Sequence, residues 1–195
     1  MAYQTYTTDA LVIGAHDRLT ADRTIALFTR DAGLVHARAI SVRREKSKLR
    51  YGLQDFSLVR VSLVRGKAGW RVIGAERTRN FYFSTESRQT RAAILRIVKM
   101  LRRLVQGEET NVMLYDVLTD GLAVLSATQE EGIMHAERVL MLRLLCALGY
   151  VAPKAEYREL LSAPSLASAL AVRPGDAPAE TVRRAIDQAL TISQL

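Results

Sequence analysis

Residues 56–65 read Phe56-Ser57-Leu58-Val59-Arg60-Val61-Ser62-Leu63-Val64-Arg65, with apolar and polar side chains in alternation. A period of two is that of a strand with one face buried and the other in water. Gly66-Lys67-Ala68-Gly69 follows and supplies a tight turn, after which Trp70 to Thr78 returns as a second strand. The stretch is therefore a hairpin of an antiparallel sheet. Three further strands are expected upstream, at about Thr8 to Ala15, Arg23 to Thr29 and Leu34 to Val42, with Asp31-Ala32-Gly33 turning the chain between the last two. Five short strands in succession suit a small closed barrel. The OB-fold is the version most often used to bind oligonucleotides, although the strand count alone also fits an SH3-like barrel.

Downstream of residue 87 the period becomes helical. Thr90 to Gln106 contains no Gly or Pro, and its apolar side chains Ile94, Ile97, Val98, Leu101, Leu104 and Val105 fall on one face. The cations Arg88, Arg91, Arg96, Lys99, Arg102 and Arg103 lie on the other, within an arc of about 140° at 100° per residue. Arg88, Arg91, Lys99 and Arg102 are the candidates there for a partner or DNA surface, against the plainer reading that this side meets only water. A second helix is expected from Thr110 or Asn111 to about Ala127, burying Leu114, Leu118, Leu122 and Leu125. A third runs from about His135 to Leu148, where Gly149 suits a left-handed C-terminal cap and Pro153 lies just beyond. Short helical segments are expected near 154–161 and 178–190, with a loose connection between them. The fold class is thus α+β, with a five-stranded barrel in residues 1–80 and an α-helical domain in residues 81–195.

Charge divides at the same place. Residues 1–80 hold 15 Lys and Arg against 7 Asp and Glu, and residues 81–195 hold 13 against 13, so the net +8 belongs to the barrel. Five of those cations are Arg43, Arg44, Lys46, Lys48 and Arg50, in the loop after the third strand. So dense a run repels itself unless phosphates or the acidic side chains of a partner neutralise it, or unless it is simply a solvated surface loop. Single strands are held by cations along the backbone and by rings on which bases stack. Tyr51 directly follows the loop, and Trp70 stands beside Arg65 and Lys67 at the hairpin, so these four join the candidate DNA-binding residues. Phe28 and Phe56 read as core.

Other chemistry finds little support. No phosphate-binding Gly-Lys loop, zinc-protease motif or nucleophile elbow is present. The three histidines are scattered, and Cys146 is the only cysteine, so neither a disulfide within the chain nor a cysteine zinc site is available. Asp17 and Asp22 are close enough to suggest a magnesium pair but flank a turn, where Asp is favoured in any case. No catalytic residue, metal or cofactor is expected. Apolar runs stop well short of the roughly 18 to 20 residues that cross a bilayer, and the start of the chain has no basic and apolar regions of a secretory signal. No membrane partner is expected, and the cytoplasm is the expected location.

The residues also resemble a family, the bacterial recombination mediator RecO. Thr8-Asp9-Ala10 with Val12-Ile13-Gly14, then Asp22-Arg23, Leu27-Phe28-Thr29-Arg30 and Gly33-Leu34, are similar to its opening strands. Arg43-Arg44, Lys46-Ser47-Lys48, Leu53-Gln54, Phe56-Ser57, Arg65-Gly66-Lys67, Trp70 and Glu76 continue in the family's order. Arg143 to Pro153 resembles the end of a core helix in its helical domain. The resemblance implies an N-terminal OB-fold and a non-enzymatic DNA repair and recombination mediator. Such a protein binds single- and double-stranded DNA and anneals complementary strands. It engages the acidic tail of single-stranded-DNA-binding protein, and works with RecR to load recombinase. Many relatives carry four zinc-binding cysteines after the position of Pro153. Lys154 to Glu159 has none, so a zinc-free variant is expected. Ile40-Ser41 replaces a common Lys-Gly pair, Asp55 stands where Pro is frequent, and the chain is short after Leu161. The residues alone leave two rivals, an RNA-binding or translation-associated OB protein and a scaffold for an acidic protein.

Overall fold

The structure is a computed structural model describing residues 4–18, 21–171 and 179–192. Five strands, β1 (Thr5–Asp17), β2 (Arg23–Thr29), β3 (Gly33–Ala39), β4 (Ser57–Gly66) and β5 (Gly69–Asn80), close into a barrel in the order β1-β2-β3-β5-β4. β1 pairs antiparallel with both β2 and β4, and β3 meets β5 in parallel over only Ala37↔Trp70 and Arg38↔Arg71. That closure is the OB-fold's and removes the SH3-like alternative. Alternation along β4 turns Val59, Val61 and Leu63 inward against Ala10, Val12, Ile25, Leu27, Val35 and Val72. Each of these Val, Leu and Ile side chains stabilises the barrel by about 1.5–3 kcal/mol relative to exposure.

Two expectations about this region change. The third strand ends at Ala39 rather than Val42, because Asp22 captures the Ser41 N–H at 2.8 Å and Ser41 takes a left-handed φ of 53°. Phe56 is half-buried rather than core, also at positive φ (65°), and stacks on Tyr82 with centroids 5.4 Å apart, whereas Phe28 is fully buried. A one-turn helix, α1 (Leu49–Gly52), was not expected.

The chain divides into two compact units, the first comprising residues up to Ser84 together with Val105–Val112. This second stretch lies along the barrel beside the start of β3. The Leu34 N–H donates to the Gly107 carbonyl (3.0 Å), and the Thr110 hydroxyl donates to the Asp31 carbonyl (2.8 Å). Gly33, at φ 61°, lies so close that a Cβ there would run into the Glu109 backbone.

The second unit holds α2 (Arg88–Leu104), α3 (Val112–Ala127) from Met113 onward, α4 (Glu130–Ala147), a 3-10 turn (Ala155–Tyr157), α5 (Arg158–Ser162), α6 (Leu166–Leu170) and α7 (Ala179–Ile192). α2, α5, α6 and α7 each pack on α4. Ile94, Ile97, Leu101, Leu118, Leu122, Leu140 and Leu144 are buried there. Gly149 caps α4 at φ 79°, its N–H donating to the Cys146 carbonyl while the Tyr150 N–H donates to Leu145. The Arg143 guanidinium donates to the carbonyls of Leu160 (3.2 Å), Ala163 (2.9 Å) and Ser165 (3.1 Å), binding the segment after α4 to that helix. Among the described residues no helix is long and apolar enough to cross a membrane.

Candidate nucleic-acid interface

The loop after β3 is held rather than slack. The Asp22 carboxylate accepts both the Ser41 N–H and the Arg38 guanidinium (2.6 Å to Nη2). These two donors, Ser41 first, hold the Asp22 carboxyl below its ordinary range. The Arg43 N–H donates to the Ala21 carbonyl, and Arg44 to Ser41, Ser47 to Arg44 and Arg50 to Ser47 follow as successive tight turns. Val42 and Leu53 plug into the barrel core at either end. The loop backbone is therefore ordered by its own hydrogen bonds, and its side chains project from it.

All five loop cations are exposed. Arg43 is already balanced, 3.4 Å from Asp17, which also pairs with Arg23 at 2.7 Å. Arg44, Lys46, Lys48 and Arg50 have no carboxylate partner among the described residues. Tyr51, on α1, leaves 62% of its surface exposed, an open ring next to that cluster in sequence. Asp17 and Asp22 thus act as anchors for arginines, Asp17 for Arg23 and Arg43 and Asp22 for Arg38.

At the β4–β5 hairpin the candidates Arg65, Lys67 and Trp70 form a tighter assembly than the sequence suggests. Arg65 and Trp70 face each other across the strands, and the guanidinium carbon lies 5.3 Å from the ring centroid. Tyr6 on β1 meets the same ring edge-on, at 5.3 Å and 80°. Glu108, carried back to the barrel by the stretch before α3, accepts the Trp70 indole N–H at 3.0 Å and lies 3.5 Å from Arg65. Lys67 and the neighbouring Arg71 are exposed, with no carboxylate partner among the described residues. Trp70 is consequently a fixed ring rather than a free platform. Sequence reasoning missed Arg38, Arg71 and Glu108. The first two stand in strands away from any charge run, and Glu108 lies far away along the chain.

In the helical unit, Arg88, Lys99 and Arg102 are exposed on α2, but Arg91 donates from Nε to the Thr85 carbonyl (2.9 Å) and so is tied to the segment that leads into its own helix. Arg96 forms a two-pronged pair with Glu137, which is nearly buried. His16, His36 and His135 are all exposed. Among the described residues no group of three His, Cys, Asp or Glu side chains is placed to hold a metal.

Residues 1–80 match the family model described as "Recombination protein O N terminal", a span that coincides with the barrel. The chain is 30% identical over 154 residues to the DNA repair protein RecO of Dehalococcoides mccartyi, covering 79% of this chain and 59% of that protein. It is 28% identical over 145 residues to the RecO of Pelotomaculum thermopropionicum, covering 74% and 56%. Over 63 residues it is 40% identical to the RecO of Desulfitobacterium hafniense, covering 32% and 23%. The chain thus spans a little over half the length of the first two relatives. The OB-fold barrel, the family match across that barrel and this run of relatives together support the RecO family as the one this chain resembles.

Proposed function

We propose that this protein is a DNA repair and recombination mediator that binds single- and double-stranded DNA through its barrel and anneals complementary strands. The observation that carries the reading is the cluster Arg44, Lys46, Lys48 and Arg50, without a carboxylate partner among the described residues, on a loop whose backbone is fixed from Asp22 onward. Two DNA strands repel each other, and a fixed row of cations that binds both lowers the free energy needed to bring them together. The protein supplies charge and proximity, and no bond need be made or broken. Contact is with phosphates, so the binding is independent of sequence. In this reading RecR and the acidic tail of single-stranded-DNA-binding protein are the protein partners, and recombinase loading is the outcome.

The test is annealing of complementary strands coated with single-stranded-DNA-binding protein, comparing the wild type with a variant in which Arg44, Lys46, Lys48 and Arg50 are all Ala. Annealing should fall in the variant, and the log–log salt slope of binding should flatten by about 0.7 per lost phosphate contact on single strands and about 0.9 on duplex. An unchanged slope in the folded variant removes the loop from the DNA site. Preference for an RNA oligomer over the matched DNA would favour the RNA-binding reading instead.

A further inference from the structure

A cavity of about 340 Å³ opens on the barrel where the end of β3 meets the β4–β5 hairpin. Its size falls in the lower part of the roughly 300–1,000 Å³ range of small-ligand sites. Ile40, Val64 and Trp70 give it apolar walls, and Arg38, Lys67 and Arg71 supply its charge. Ile40 is an isoleucine left 43% exposed, so the apolar wall is open to whatever enters. Among the described residues no carboxylate, amide or hydroxyl side chain lines the cavity. A ligand there must therefore be flat or apolar in its body, negative at its edge, and in no need of a matching acceptor.

We infer that this cavity takes a single unstacked nucleotide of a DNA strand, the base against Trp70 and Ile40 and its phosphate on Lys67 and Arg71. This deepens the DNA-binding reading above and rests on it. Trp70 suits the task because its position is already determined by Tyr6, Arg65 and Glu108, so little side-chain freedom is lost when a base packs on it. Arg38 is held by Asp22 and is largely neutralised, which leaves Lys67 and Arg71 as the phosphate contacts. The cavity begins at Ile40, and the loop cations Arg44, Lys46 and Lys48 follow within the next eight residues. A strand with a base in the cavity continues onto repeated positive charge, which matches a polynucleotide better than a short acidic peptide. With apolar walls and no side-chain acceptor, the site accepts any base. A duplex cannot use it, because its bases are stacked and paired and would first have to be extruded.

The experiment measures affinity of the full chain for a short oligothymidylate, for the same strand with abasic sites throughout, and for a duplex. Variants are Ile40→Asp, which sets a charge in the apolar wall, and Lys67→Ala with Arg71→Ala. A base stacked on protein is worth roughly fivefold to 150-fold in affinity. Wild type should bind the intact strand at least about fivefold more tightly than the abasic one. Ile40→Asp should remove that discrimination and leave the melting temperature unchanged. The double variant should weaken the intact strand with a flatter salt slope. Equal wild-type affinity for intact and abasic strands overturns the nucleotide site while leaving loop-mediated DNA binding standing. No binding of any strand overturns the DNA reading itself. If the variants lose a peptide of acidic and apolar residues but keep the base discrimination, the cavity is a peptide site and the inference fails.

Discussion

The Glu108 carboxylate accepts the indole N–H of Trp70 at 3.0 Å and lies 3.5 Å from Arg65, whose guanidinium covers the same ring. One acidic side chain from the stretch between α2 and α3 thereby fixes an aromatic ring of the barrel and offsets one of its cations. A phosphate approaching Arg65 competes with this carboxylate for the guanidinium. Glu108→Gln keeps an acceptor for the indole while removing the charge. It should tighten single-strand binding and steepen the salt slope by about 0.7, the increment of one phosphate contact. Stability should change by no more than about 1 kcal/mol, as for other exposed ion pairs. Weaker DNA binding by this variant, measured by anisotropy across a salt series, would show that the carboxylate supports binding instead of opposing it.

The loop cations should not contribute equally. Arg43 is balanced by Asp17, and Lys46 has no carboxylate partner among the described residues. Lys46→Ala should flatten the single-strand salt slope by about 0.7, and Arg43→Ala by distinctly less. Asp17→Asn should release Arg43 and steepen the slope. Equal slopes for the Arg43 and Lys46 variants would mean that Arg43 leaves Asp17 when DNA binds.

The barrel was legible where the period of two is strong and local. β2 spans Arg23–Thr29 as its sequence indicates, and β4 is displaced by a single residue, because alternating side chains fix which face is buried. β3 stopped early for a reason outside its own residues, the grip of Asp22 on Ser41. α4 begins at Glu130 rather than His135; the acidic pair Glu130 and Glu131 suits a helix N-terminus, but Gly132 obscures the signal. The loop cations were legible from charge alone. The Glu108 contact was not, since Val105–Val112 is held by hydrogen bonds to Asp31 and Leu34, more than seventy residues earlier in the chain.

Gly33 tests that long-range contact. A side chain there is strained by about 1–2 kcal/mol at positive φ, and its Cβ would also run into the Glu109 backbone. Gly33→Ala should therefore lower the melting temperature and speed amide exchange at Leu34, which donates to Gly107. Wild-type exchange at Leu34 would mean that the stretch can shift without leaving β3.

Asp22 links the loop to pH. Its folded-state carboxyl lies below the ordinary value, so its contribution to stability is complete above about pH 4 and is lost as the pH falls through the lowered value. Asp22→Asn should destabilise the protein at neutral pH and reduce the loss of stability on the acid side. The salt slope for DNA should also change, because Arg38 loses its partner. Parallel denaturation curves for wild type and variant from neutral to acid pH would show that the Asp22 bonds contribute nothing to folding.

The basic face of α2 separates into cations that hold the helix and cations that do not. Arg96 pairs with the nearly buried Glu137, and Arg96→Ala leaves that carboxylate without its partner, at a cost of about 1–3 kcal/mol. Lys99 and Arg102 are exposed, and reversing their charge should alter stability by no more than about 0.5 kcal/mol. Arg91, bound to the Thr85 carbonyl, belongs with the first group, so the informative double variant is Lys99→Glu with Arg102→Glu. If this face meets an acidic partner or continues the DNA track, the double variant should lose affinity by a larger factor at low salt than at high, because exposed charges are screened beyond about 10 Å at 0.1 M salt. Titration with DNA, with RecR and with an acidic tail peptide identifies which ligand is affected. Wild-type affinity for all three would leave the outer side of α2 as solvated surface and confine recognition by charge to the barrel.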